Sequence, residues 1–118
     1  MPTHHAIDYI EFSVRDLGAA KRFYADAFGW AFTDYGPTYA GIQGADREVG
    51  GMEETDDVRT GGPLVVLSSE DLGASPEAVR SAGGTISEEP FDFPGGRRFH
   101  FLDPSGNELA VWAEADGS

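Results

Sequence analysis

Polar and apolar residues alternate through Tyr9-Ile10-Glu11-Phe12-Ser13-Val14, the period of a strand with one buried face. Ile10, Phe12 and Val14 are directed at a core, and Tyr9, Glu11 and Ser13 at the opposite face. The period then changes. Ala19, Ala20, Phe23, Tyr24 and Ala27 recur at three and four, as on an amphipathic helix, with Asp16 placed as N-cap and Gly29 as C-cap. Trp30 to Thr33, Thr38 to Gln43 and Glu48 to Met52 read as short strands, separated by Tyr35-Gly36-Pro37 and Gln43-Gly44-Ala45-Asp46, both turn-forming. Leu64-Val65-Val66-Leu67 opens a second half as a buried strand. Ser75-Pro76-Glu77 then starts a helix, with Ser75 as its cap and Pro76 in its first position, and Gly83-Gly84 closes it. Strands over Thr85 to Ser87, Arg97 to Leu102 and Glu108 to Ala113 follow, the last two joined by the turn Asp103-Pro104-Ser105-Gly106.

The two halves repeat. Asp16-Leu17-Gly18-Ala19 recurs letter for letter as Asp71-Leu72-Gly73-Ala74, each copy following a strand and opening a helix, and Gly29 and Gly84 stand at equal distances beyond. The predicted class is α+β: one domain over residues 1–118 made of two tandem βαβββ modules, the first over about 5–55 and the second over about 63–115. The acidic, polar stretch at about 54–62 is the expected linker.

Composition narrows the chemistry. Of 118 residues, 21 are acidic and 8 basic, a formal charge of −13 that repels phosphate backbones and argues against nucleic acid as a partner. The acidity suits a solvated surface, adaptation to high salt, or attraction of a cationic compound. Cysteine is absent, which removes disulfides and thiolate chemistry and accords with a reducing compartment. No stretch has the length of a signal peptide's apolar segment or of a membrane span, so a cytoplasmic protein without membrane contact is expected.

The order of motifs carries a family likeness. Strand, Asp-Leu, a helix with Phe23-Tyr24, then Phe28-Gly29-Trp30, and finally Phe101-Leu102-Asp103-Pro104-Ser105-Gly106-Asn107 together resemble the vicinal-oxygen-chelate superfamily of glyoxalases, bleomycin-resistance proteins and extradiol dioxygenases. The resemblance implies mixed sheets curled into half-barrels around a concave ligand site, and a homodimer. It also implies a divalent metal held by histidine and glutamate, serving as a Lewis acid. Carried over by position, the family's ligands fall on Tyr9, Leu64, Ala110 and about Gly51, none of which is the expected type. No metal and no cofactor are therefore expected.

Strand parity anchored on Tyr9 nominates the ligand-facing residues: Tyr9, Glu11 and Ser13; Leu64, Val66 and Ser68; Glu108, Ala110 and Trp112; and, across the last hairpin, Arg97, Phe99 and Phe101. Glu11 on an apolar wall is a candidate base, or else one member of a structural ion pair. Arg97 and Arg98 are adjacent, so only one faces inward, there to grip an anion bidentately, with strand parity favouring Arg97, while Trp112, Phe99 and Tyr39 offer stacking surfaces or ordinary packing. His100 is expected near Leu109 on the helix-packed side, and would turn into the cavity if the register differed by one residue. His4 and His5, adjacent near the start of the chain, suit a surface role.

The expected function is a glyoxalase/bleomycin-resistance-like protein that binds a cationic or aromatic small molecule without the family's metal. The alternative is an enzyme, a lyase, isomerase or dioxygenase, using Glu11 as base with Arg97 or Tyr9 steadying an oxyanion, or using a relocated divalent metal.

Overall fold

The computed structural model describes residues 3–58 and 62–115; the central part of the expected linker lies outside them. The elements run β1 (Ile7–Val14), α1 (Leu17–Phe28), β2 (Phe32–Asp34), β3 (Tyr39–Gln43), β4 (Glu48–Glu54), β5 (Leu64–Ser68), α2 (Ser75–Ser81), β6 (Thr85–Phe93), β7 (Gly96–Leu102) and β8 (Glu108–Glu114). This is the α+β, twice-repeated βαβββ order that the periodicity predicts. The chain forms two compact units, one from Tyr9 to Pro63 and one from Leu64 onward that also takes in the residues up to Asp8.

In the N-terminal unit the strands lie in the order β2-β3-β4-β1, with β1 parallel to β4 and the other pairs antiparallel. One face of this sheet is apolar. Ala40, Ile42 and Met52 are buried with Leu17 of α1, and Phe12, Val14, Ala20, Tyr24, Trp30 and Phe32 pack around them. Helix α1 starts where Asp16 caps it, its carboxylate accepting from the Ala19 N–H at 3.0 Å. It stops where Gly29, at φ 75, turns left-handed and returns its N–H to Ala25. Leu17 N–H is also held by Glu54 at 3.0 Å, which ties the helix start to the end of β4. Phe23, expected on the apolar face of the helix, is 58% exposed, because Ala20 and Tyr24 meet the sheet instead.

The C-terminal unit orders its strands β5-β8-β7-β6, with β5 parallel to β8. Leu72, Phe99, Val111 and Ala113 form its core, with Leu67, Val79, Ile86 and Phe101 packed against them. The expected cap at Ser75 is corrected by one residue. Ala74 stands at the cap without a side-chain bond, and Ser75 lies inside the helix, its hydroxyl paired with Ser69 and directed to the Asp71 carbonyl. The strand expected over Thr85 to Ser87 runs on to Phe93. Irregularities in its ladder with β7 on both sides of Glu88 accommodate Pro90, which has no N–H to donate.

A turn sets the last register. Asp103 accepts from the backbone of Ser105 and Asn107 and from the Asn107 side chain, each at 2.9 Å, and these bonds hold its carboxyl below the usual range. Leu102 is thereby paired with Glu108, and His100 with Ala110. No helix among the described residues is long and apolar enough to cross a membrane.

Candidate functional site

Opposite its apolar face, the N-terminal sheet carries a polar cluster assembled from three strands. Tyr9 and Glu11 project from β1 on the side away from Phe12, as alternation requires. Glu11 is paired with Gly51 on β4, and Gly51 with Gly41 on β3. These two glycines clear the floor. A Cβ at Gly51 would lie 2.1 Å from the Tyr39 hydroxyl and 2.7 Å from that of Tyr9, and a Cβ at Gly41 would meet the Glu48 carboxylate at 2.2 Å. Glu48 reaches this face through the bulge opposite Ile42 and Gln43, since strict alternation from Gly51 would have turned it to the helix side.

The hydroxyls and carboxylates form one chain of bonds. Tyr39 donates to Glu11 Oε2 at 2.8 Å, Tyr9 donates to Glu48 Oε2 at 3.0 Å, and the two phenol oxygens are 3.0 Å apart. Tyr35 donates to Glu48 Oε1 at 2.5 Å. Burial pushes the Tyr9 hydroxyl well above the ordinary phenol range, with Glu48 and Glu11 adding to it and the hydrogen bond with Tyr39 opposing it. Burial and then the Glu11 charge do the same to Tyr39. Tyr35, largely exposed, is raised chiefly by its bond to Glu48. The cluster is therefore a set of phenols kept protonated beside carboxylates, and acceptor lone pairs outnumber the protons available to them.

The C-terminal sheet also has a face turned away from its helix. Phe99 pairs with Val111 and is fully buried in the helix-side core, so parity puts Arg98, His100, Glu108, Ala110 and Trp112 on the other side. Several expectations are thereby corrected. Phe99 and Phe101 are helix-side core residues, His100 faces away from the helix rather than toward it, and Arg97, paired with Ala113, shares the helix side of the sheet, where it meets Asp92 at 2.9 Å. Arg98 takes the place expected of Arg97, its guanidinium lying 5.6 Å from the ring centroid of Phe91 and 5.7 Å from that of Phe93. His100 is 6% exposed, with Nδ1 2.9 Å from Glu108 Oε2. Trp112 donates from its indole to Asp8 at 3.0 Å, and Leu64 and Val66 are buried on the strand beside it.

Of the nominated residues, then, Tyr9, Glu11 and Tyr39 meet in one network, and Leu64 and Trp112 lie on the predicted face of the other unit. Glu48 and Tyr35 are not among the sequence candidates, and of the two arginines it is Arg98 that takes the inward place. His4 accepts from the Glu70 N–H at 2.8 Å, a structural contact.

The positions carried over from the family's metal site can be read against this geometry. In the N-terminal unit they hold a phenol engaged with Tyr39 and Glu48 and a glycine whose side-chain space is taken by two hydroxyls. In the C-terminal unit they hold Leu64 and Ala110, which have no donor atom. Among the described residues no three histidine, aspartate or glutamate side chains converge as metal ligands.

Residues 6–111 match the family model described as the Glyoxalase/Bleomycin resistance protein/Dioxygenase superfamily, and the chain belongs to that superfamily. It is 30% identical over 113 residues to the anthracycline biosynthesis protein DauV of Streptomyces sp. (strain C5), a match covering 90% of this chain and 40% of that protein. Among solved structures, the Mn(II)-bound glyoxalase of Novosphingobium aromaticivorans is 28% identical with a TM-score of 0.70, covering 98% of this chain and 40% of that one. Methylmalonyl-CoA epimerase of Mycobacterium tuberculosis, at 16% identity and a TM-score of 0.72 over 98% and 93% of the two chains, shares the fold. The chain thus spans about 40% of the length of its curated relatives.

Proposed function

We propose that this chain is a small-molecule-binding member of the superfamily that works without the family's metal, its ligand a planar aromatic compound bearing hydroxyl or cationic donors. The observation that carries this reading is Gly51: the space where a metal-binding side chain would stand is filled by the hydroxyls of Tyr9 and Tyr39. The surplus of acceptors among Tyr9, Glu11, Tyr39 and Glu48 favours a guest that brings donors, and the net charge of −13 favours a cationic one. Within the C-terminal unit, taken by itself, Trp112, Phe91 and Phe93 offer an aromatic surface of their own. The relatives named for anthracycline biosynthesis point to a polycyclic aromatic ligand. A cytoplasmic homodimer accords with the lack of cysteine and with the superfamily.

The reading is tested by titrating chelator-treated protein with an anthracycline and following tryptophan fluorescence and melting temperature. Saturable binding and stabilisation with no metal present are expected. Binding that appears only after Mn(II) or Ni(II) is restored overturns it.

A second reading, an enzyme with Glu11 as base, draws on that carboxylate's burial, at 9% exposure, and on its bond from Tyr39. Conversion of the bound compound, abolished by Glu11→Gln, would favour this alternative. Recovery of the compound unchanged removes it.

A further inference from the structure

The C-terminal unit contains a polar atom whose partner is missing. His100 Nδ1 lies 2.9 Å from Glu108 Oε2. A carboxylate offers only lone pairs, so Nδ1 carries the proton, and in the neutral ring the remaining lone pair belongs to Nε2. That Nε2 is fully buried and has no hydrogen-bond partner among the described residues. A buried acceptor without a partner has given up its hydration, and such a group calls for a partner that supplies a donor.

The surroundings indicate what that is. Ala110, directly opposite His100, presents only a methyl group. The Phe91 ring lies 5.9 Å from the imidazole, tilted at 33°, and Arg98 lies over the same ring. Phe91 belongs to β6, the last strand of its unit's sheet, in the stretch where the ladder with β7 is irregular. A ring carried on an irregular outer strand moves aside at less cost than one fixed in a central ladder. One oriented acceptor among aromatic and small apolar groups matches a hydroxyl attached to a flat ring.

We infer that His100, positioned by Glu108, accepts the O–H of a hydroxylated aromatic ligand admitted beside Phe91, and so distinguishes phenols from ethers of the same shape. The inference rests on the small-molecule reading above and specifies one polar contact of the ligand. The proton stays on the ligand oxygen, shared with Nε2.

The test compares 2-naphthol with 2-methoxynaphthalene by calorimetry at pH 8. The wild type is expected to bind the naphthol about tenfold more tightly, the value of one hydrogen bond to a buried acceptor. His100→Phe should weaken the naphthol to the level of the ether while leaving the ether unchanged. If both probes bind and the discrimination is absent, or survives in His100→Phe, the inference fails while the small-molecule reading stands. If neither binds the wild type, both fail.

Nitrogen NMR of the wild-type imidazole covers the case in which the variant does not fold. The proton should reside on Nδ1 alone, and the Nε2 resonance should move on addition of naphthol. A proton on Nε2 in the free protein, or a resonance that does not respond, overturns the assignment.

Discussion

Replacing Tyr39 with phenylalanine deletes one oxygen from the middle of the Glu48, Tyr9, Tyr39, Glu11 chain. Two contacts vanish, the 2.8 Å bond to Glu11 and the 3.0 Å contact with Tyr9. The first dominates, because a bond to a buried carboxylate is charge-assisted and contributes about 1.5–3 kcal/mol. The second costs less, since Tyr9 keeps its bond to Glu48 at 3.0 Å. The ring itself is retained, so no large cavity opens, and the hydroxyl no longer has to be desolvated, which offsets part of the loss. A net destabilisation of about 1–2 kcal/mol follows. Urea denaturation monitored by tryptophan fluorescence should show the midpoint falling with an unchanged slope. A double-mutant cycle with Glu11→Gln should place most of the loss in the pair. A change below about 0.5 kcal/mol, or full additivity in the cycle, refutes the assignment of Tyr39 as a donor to Glu11.

Alkaline pH tests the same cluster. Tyr9 and Tyr39 titrate in the folded chain above the unfolded phenol value of about 10, so their contribution is complete below that value and declines as pH rises through it. The decline approaches about 1.4 kcal/mol per pH unit for each tyrosine, and urea midpoints between pH 9 and 11 should show a shallower fall in Tyr39→Phe. Asp16→Ala should cost about 1 kcal/mol by removing the cap on Ala19 N–H, with Asp16→Asn retaining most of it in the same denaturation assay. Gly96→Ala should cost at least about 2 kcal/mol, because its Cβ would lie 2.0 Å from the Ala113 carbonyl and two strand backbones would have to part. A melting curve superimposable on wild type would contradict that packing.

What could be read from sequence was local. Helix α1 with its Asp16 and Gly29 ends, Phe12 and Val14 on the apolar face of β1, and the doubled Asp-Leu-Gly-Ala depend on near neighbours and on a fixed period, and each is found in place, whereas Ile10, expected on the same face, is 38% exposed. Tyr9 and Glu11 were found for the same reason. The residues that escaped depend on partners elsewhere in the chain. Arg98 and Arg97 exchange roles because the turn at Asp103 pairs Leu102 with Glu108, one residue from the register that placed His100 near Leu109. Glu48 was hidden by a bulge that no local pattern announces. A signal was present nonetheless: Gly41 and Gly51 are neighbours across two strands, and paired glycines in a sheet leave room that a bulky side chain from elsewhere can occupy.

The fit between Gly51 and Tyr39 also constrains the order in which this sequence can change. A side chain introduced at residue 51 collides with the phenol above it, and a small residue at 39 removes the 2.8 Å bond from Tyr39 to Glu11 while 51 is still glycine. Each single step is disfavoured, whereas with residue 39 already small only the Tyr9 hydroxyl, 2.7 Å from a Cβ at residue 51, still has to shift. Variants carrying a glutamate at residue 51 should therefore be recovered only on a background where residue 39 has already become small, and a library randomised at both positions should return them as linked pairs.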